Sequence, residues 1–96
     1  MNEIRQTAEY AKWFKKLRDK NAQARINVRI RRVELGNFGD TKSLGDNVSE
    51  LRIPYGPGYR LYYTVKDNVI VILLCGGDKS SQRSDISKAK QMAQEL

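Results

Sequence analysis

Ninety-six residues, 40% hydrophobic and 30% charged with seven glycines and two prolines, have the composition of one globular domain, residues 1–96, with a single modest core. No apolar run approaches the roughly 20 residues that span a bilayer, MNEIRQT lacks the basic-then-apolar pattern of a leader, and the lone Cys75 excludes an internal disulfide framework and fits a reducing compartment, so the cytoplasm is the expected location. The net charge is +7 and histidine is absent, which leaves acid–base chemistry to Lys, Arg, Tyr, Asp or Glu and excludes a His-based metal site or triad.

In chain order, NEIRQ (2 to 6) reads as a short first strand, and Thr7 as the N-cap of a helix carrying Glu9 in its first turn. Tyr10, Trp13, Phe14 and Leu17 recur at helical spacing, with Lys12, Lys15, Lys16 and Arg18 between them. Aromatics so spaced form a core face. A break at DKN (19 to 21) offers a second cap in Asp19 or Asn21. Ala22, Ile26, Ile30 and Val33 then form an apolar stripe flanked by Arg25, Arg29 and Arg32, and Gly36 should end the helix. Between Lys12 and Arg32 stand nine basic residues and one acid, Asp19, so this helical hairpin carries the whole positive excess. Such a patch suits a polyanion or an acidic protein, or is simply a solvated helix surface.

The second half changes period. VSELRI (48 to 53) alternates as a half-buried strand, PYGPG (54 to 58) is a turn, and YRLYYTVK (59 to 66) alternates again. DN at 67 and 68 is a hairpin loop that tolerates positive φ. VIVILLC (69 to 75), apolar on both faces, reads as a central covered strand. GGDKSSQ breaks it, and SDISKAKQMAQEL closes as a helix with Ile86, Ala89, Ala93 and Leu96 on one face.

Alternation fixes the register of these hairpins, because a one-residue slip turns each apolar set outward. Leu51 and Leu61 share the core face, so Arg52 falls opposite Arg60. Across the DN turn Lys66 faces Val69, and counting back sets Arg60 opposite Cys75, with Lys79 emerging close to Arg60 and Arg83 within reach. Like charges opposite one another repel unless an anion, or a carboxylate such as Glu50 or Asp78, sits among them. Arginine suits phosphate because its planar fork donates two hydrogen bonds at once. Tyr62 shares the face of Arg60, open either to stacking on a base or to cross-strand packing. Gly76 and Gly77 leave room for a phosphate to approach backbone N–H groups. Cys75, with no histidine to activate it, reads as a small buried hydrophobe.

The order βαα-βββ-α, the stretch SELRIPYGPGYRLYYTV and the following VIVILLCGGDKSSQRSDISKAKQMA resemble the RelE/ParE superfamily of bacterial toxins. The likeness is greatest to the HigB-like, phage-Gp49-like "addiction module killer" branch, and it covers essentially the whole chain. It implies an α+β fold in which a helical hairpin packs on a small, mainly antiparallel four-stranded sheet with a C-terminal helix. It implies the toxin of a type II toxin–antitoxin pair, neutralised by a small helix-turn-helix antitoxin, and an endoribonuclease that cuts mRNA on the ribosome without metal or cofactor. Carried over by position, Arg60 matches the arginine of the G-Y-R strand that contacts the scissile phosphate. Arg52 matches a basic residue on the preceding strand, and Lys79 falls in a loop where further basic groups stand. Tyr62, Arg83, Arg25, Arg29 and Arg32 complete the expected RNA contacts. Two features depart from the pattern: Glu50 stands where RelE-like toxins carry a second basic residue, and no tyrosine follows Tyr63. ParE-like relatives share the fold and poison gyrase instead.

Overall fold

The first helix starts where Thr7 can cap it: the Thr7 hydroxyl accepts from the Tyr10 N–H at 3.1 Å and donates to the Leu74 carbonyl at 2.6 Å. One side chain thus ends strand β1 (Glu3–Gln6), opens helix α1 (Ala8–Lys15) and ties both to the sheet. Asp19 repeats the device for α2 (Lys20–Glu34), accepting from the Asn21 and Ala22 N–H groups at 2.9 and 3.1 Å. Gly36, at φ +96°, takes the left-handed turn that stops α2. The computed structural model describes residues 1–96 and continues with β2 (Thr41–Gly45), β3 (Val48–Ile53), β4 (Tyr59–Lys66), β5 (Ile70–Gly77), a 3-10 turn (Lys79–Ser81) and α3 (Gln82–Gln94).

The sheet has five strands in the order β1-β5-β4-β3-β2, with β1 parallel to β5 and the other pairs antiparallel. The four-strand expectation therefore needs one correction. TKSLG is an edge strand with no fully buried residue, so it lacks the apolar alternation that marks the others. Its hairpin does carry a signal, because Asp46 and Asn47 take φ of 54° and 62°, as Asp67 and Asn68 take 53° and 62°.

Both faces of β5 are covered, as its apolar run requires. On one face α1 and α2 bury Tyr10, Ile26 and Val33 against Leu51, Leu61, Tyr63, Val71 and Leu73. On the other, α3 brings Ala89, with Ile86 and Ala93, onto Val48, Tyr62, Leu74 and Cys75. Leu96, expected on that same face, is half exposed. Truncating Leu61 or Ile26, both fully buried, to alanine would cost about 2–5 kcal/mol.

Register is where the structure and the sequence part. Leu51 pairs with Leu61 and Arg52 with Arg60, as alternation demands. Lys66, however, pairs with Ile70 rather than Val69, and a bulge between Tyr62 and Tyr63 shifts the β4–β5 ladder once more. Two one-residue shifts set Arg60 opposite Gly77, and Cys75 opposite Tyr62. The bulge leaves Leu74 and Cys75 both facing α3.

Candidate functional site

Arg52 and Arg60 lie side by side on β3 and β4, on the face that α3 covers farther along the sheet. Lys79 joins them from the 3-10 turn. Its backbone N–H donates to the Pro57 carbonyl at 3.4 Å, and its stem lies against Gly58, which turns at φ +79°. A Cβ on Gly58 would meet the Lys79 Cβ at 3.6 Å. The three cations, with Asp40 and Tyr59, line one cleft of about 230 Å³. Residues from three separate stretches of chain are thereby brought together.

The cleft is not a bare cluster of positive charge. Glu50, 1% exposed, lies beneath it, and its Oε2 accepts from Arg60 Nη1 at 3.0 Å. Arg52 Nε stands 3.7 Å from the same oxygen and 3.3 Å from Asp40 Oδ1, near enough for ion pairing but without hydrogen-bond alignment. Arg60 is 13% exposed and Arg52 40%. Of the two ways to relieve an Arg–Arg repulsion, the carboxylate is present within the fold itself. With three cations against Glu50 and Asp40, the cleft keeps a net positive charge. Asp78, beside it, accepts from the Ser80 hydroxyl and the Ser80 N–H, which hold its carboxyl below the usual carboxylate range.

Arg29 acts as a support within the fold. Its Nη1 donates to the Arg52 carbonyl at 2.5 Å, and its Nη2 to the Phe38 and Asp40 carbonyls at 3.1 and 3.2 Å. Burial lowers its pKa, which the neighbouring Asp40 partly opposes. The fork thus fastens α2 to the strand end that carries Arg52 and to the loop that carries Asp40. Three of its five N–H hydrogens are thus used within the fold, so Arg29 has a structural task beside its place on the basic face of α2.

Arg25 lies 4.4 Å from the Tyr55 ring centre, in cation–π geometry, while Tyr55 donates to Asp19 Oδ2 at 3.2 Å. Arg25, Arg29 and Arg32 line a second, larger groove of about 710 Å³ between α2 and the Ile53–Tyr55 segment. Ile53 and Pro54 line both depressions, so the basic face of α2 runs on into the cleft.

Tyr62 needs the plainest correction. It is fully buried against α3, with its pKa raised chiefly by burial and then by Glu50, so its ring cannot stack on a base. Of its two open readings, cross-strand packing is the one realised. Arg83 is exposed on the first turn of α3 and does not line the cleft. The glycine pair is also filled: a Cβ on Gly76 would sit 2.3 Å from the Trp13 ring, and one on Gly77 1.9 Å from Asp85 Oδ2. These glycines admit side chains, not phosphate. Asp40 and Tyr59 are the lining residues that sequence reasoning missed. The strand after Asp40 has no apolar pattern to place it, and Tyr59 packs against the Tyr10 core as well as lining the cleft.

The sequence profile of the family described as phage-derived protein Gp49-like matches residues 12–95. The chain belongs to that family. A relative in Haemophilus influenzae (strain Rd), described only as an uncharacterised protein, is 52% identical over 94 residues, covering 98% of this chain and 95% of the relative. Among solved structures, RelE in the intact E. coli RelBE toxin–antitoxin complex aligns at TM-score 0.69 and 20% identity over 81% of this chain and 96% of that one. Isolated E. coli RelE aligns equally well, over 92% and 97%. The Gp49-like chain therefore has the α+β fold of RelE, with a five-stranded sheet. No helix is long and apolar enough to cross a membrane.

Proposed function

We propose that this protein is the toxin of a type II toxin–antitoxin pair and cleaves mRNA on the ribosome as a metal-independent endoribonuclease. The observation that carries the proposal is the convergence of Arg52, Arg60 and Lys79, from β3, β4 and the 3-10 turn, in one cleft of a RelE-like fold. RNA holds its own nucleophile: the 2′-OH attacks the adjacent phosphorus and the 5′-oxygen leaves, giving a 2′,3′-cyclic phosphate and a 5′-hydroxyl end. The protein's part is to hold the phosphate in line and to offset the charge that builds on its oxygens. Arg60 and Arg52 are the proposed donors to those oxygens. Lys79, which projects from the 3-10 turn, is proposed to neutralise charge or exchange a proton. Arg25 and Arg32, on the exposed face of α2, are proposed to hold ribosomal RNA through its backbone without reading sequence.

A protein antitoxin is the proposed partner, of the small helix-turn-helix kind, and the cytoplasm, where ribosomes are, the proposed location. RelE, which shares the fold, has been solved with its own antitoxin in an intact complex. One observation favours a second reading. Both arginines already face carboxylates, Glu50 and Asp40, which suits a ParE-like gyrase poison that does no chemistry. Induction of the protein alone in bacteria separates the two. The nuclease reading expects growth arrest with new mRNA 5′ ends and intact chromosomes, relieved by coexpressing the antitoxin. DNA breaks with intact mRNA would establish the poison, and harmless high-level expression would sink both.

A further inference from the structure

Glu50 is a buried titratable group that the proposed chemistry does not use, and it has more polar surroundings on one oxygen than on the other. Its Oε2 receives Arg60 and faces Arg52, whereas Oε1 is buried without a hydrogen-bond partner. Beside it on the sheet lie Val48 and its cross-strand partner Tyr62, both buried. A half-satisfied carboxylate at such a position is a poor stabiliser, and an apolar side chain of similar size would serve packing as well. What an apolar side chain cannot do is hold a guanidinium. Arg60 Nε is likewise buried without a partner, so the hydrogen bond to Glu50 is the one that fixes its head. With one hydrogen of Nη1 taken, the Nη2 hydrogens and the second Nη1 hydrogen remain for the cleft that Arg60 lines.

We infer that Glu50 is a positioning residue, whose carboxylate fixes the Arg60 fork toward the cleft and so raises the rate of the step while weakening the hold on the anionic ligand. The inference rests on the nuclease reading above. Its two effects have opposite signs. A negative charge under the cleft opposes a phosphate, but a fork already oriented needs no reorganisation when charge develops. A merely structural carboxylate would move binding and turnover together.

The test compares wild type with Glu50→Gln, which keeps an acceptor and loses the charge, and with Glu50→Asp, which keeps the charge and draws it back. On programmed ribosomes, Glu50→Gln should bind an mRNA with a 2′-deoxy scissile nucleotide more tightly, yet cleave the ribose form about 10- to 100-fold more slowly at saturation. Glu50→Asp should bind like wild type and recover part of the rate. Loss of binding and turnover in step, or unchanged or faster cleavage by Glu50→Gln, would overturn the inference. On the free protein, the Arg60 side-chain N–H signals in nitrogen-15 NMR should exchange slowly in wild type and broaden in Glu50→Gln. Inorganic pyrophosphate should bind Glu50→Gln more tightly. If wild type leaves mRNA whole, the nuclease reading falls. This second pair of measurements then decides the positioning claim, and unchanged Arg60 signals would overturn it. Should Glu50→Gln not fold, Glu50→Asp carries the same readouts, with looser Arg60 signals at unchanged pyrophosphate affinity as the expected result and unchanged signals as the contrary one.

Discussion

Replacing Arg60 with alanine should damage the protein twice, by separable amounts. Glu50 is 1% exposed, and without Arg60 its nearest cation is Arg52 Nε at 3.7 Å, unaligned for a hydrogen bond. Breaking a buried pair by removing one partner costs about 3–5 kcal/mol. Arg60 is itself 13% exposed and Arg52 can approach, so the lower end, about 3 kcal/mol, is the better figure. For a chain of this size the melting temperature should fall by about 12–24 °C. Adding Glu50→Gln should return most of that loss, because the orphaned charge is gone, and the double-mutant cycle should show coupling of about 2 kcal/mol. Catalysis should fall separately by about 10²- to 10³-fold, the usual effect of losing one preorganised donor. Arg60→Lys distinguishes the two effects, since an ammonium can face Glu50 but has no fork; it should melt within a few degrees of wild type and still cut poorly. Thermal melts and mRNA cleavage on the same preparations provide the assay. Melting of Arg60→Ala within about 2 °C of wild type would refute the buried ion pair. Cleavage at the wild-type rate would refute the catalytic role.

Arg29 and Arg32, one turn apart, should behave oppositely. Arg29→Ala removes a donor from three carbonyls, of which that of Asp40 keeps the Arg52 N–H, and should cost about 1–3 kcal/mol in urea unfolding, whereas Arg32→Ala should leave stability within about 0.5 kcal/mol and lower the salt slope of ribosome binding by about one. Gly76→Ala drives a methyl into the Trp13 ring, 2.3 Å from the Cβ position, and should destabilise by about 1–3 kcal/mol in the same assay with a blue shift or quench of the tryptophan emission. Burial pushes the Cys75 thiol up to about 12, so it should resist a disulfide reagent at pH 8 until the protein is unfolded. An acid raised in the folded state stabilises fully below its unfolded value, about 8.5, and loses that contribution as pH climbs toward the folded value. Stability should therefore decline from pH 8.5 to 10 in wild type and decline less in Cys75→Ala.

The elements that could be read from sequence were those with a strong local signal. Thr7 and Asp19 cap helices because their short oxygens reach the next N–H groups, and Leu51 opposite Leu61 forces Arg52 opposite Arg60. What sequence could not supply was the β4–β5 register. A bulge at Tyr62/Tyr63 has no local composition to announce it, and together with the one-residue shift at the DN turn it moves Arg60 from Cys75 to Gly77. Covering α3 then decides what alternation cannot. Tyr62 shares a face with Arg60, but α3 buries the one and leaves the other at the cleft. Arg29 hides its structural task for a related reason. Its helical position is that of a solvated flank, and only the fold brings three carbonyls within its reach. Glu50 could be named as a neutraliser from the like-charge argument, whereas Asp40 depended on an edge strand with no apolar pattern.

The central claim, that the Arg52–Arg60–Lys79 cleft cuts RNA, is tested most directly with purified protein, programmed ribosomes and an mRNA labelled at its 5′ end. Wild type should release a fragment ending in a 2′,3′-cyclic phosphate, with the cut in the codon that waits for tRNA, and Arg60→Lys should slow that release without weakening ribosome binding to the same degree. Full-length mRNA after prolonged incubation with well-folded, ribosome-bound wild type would contradict the account.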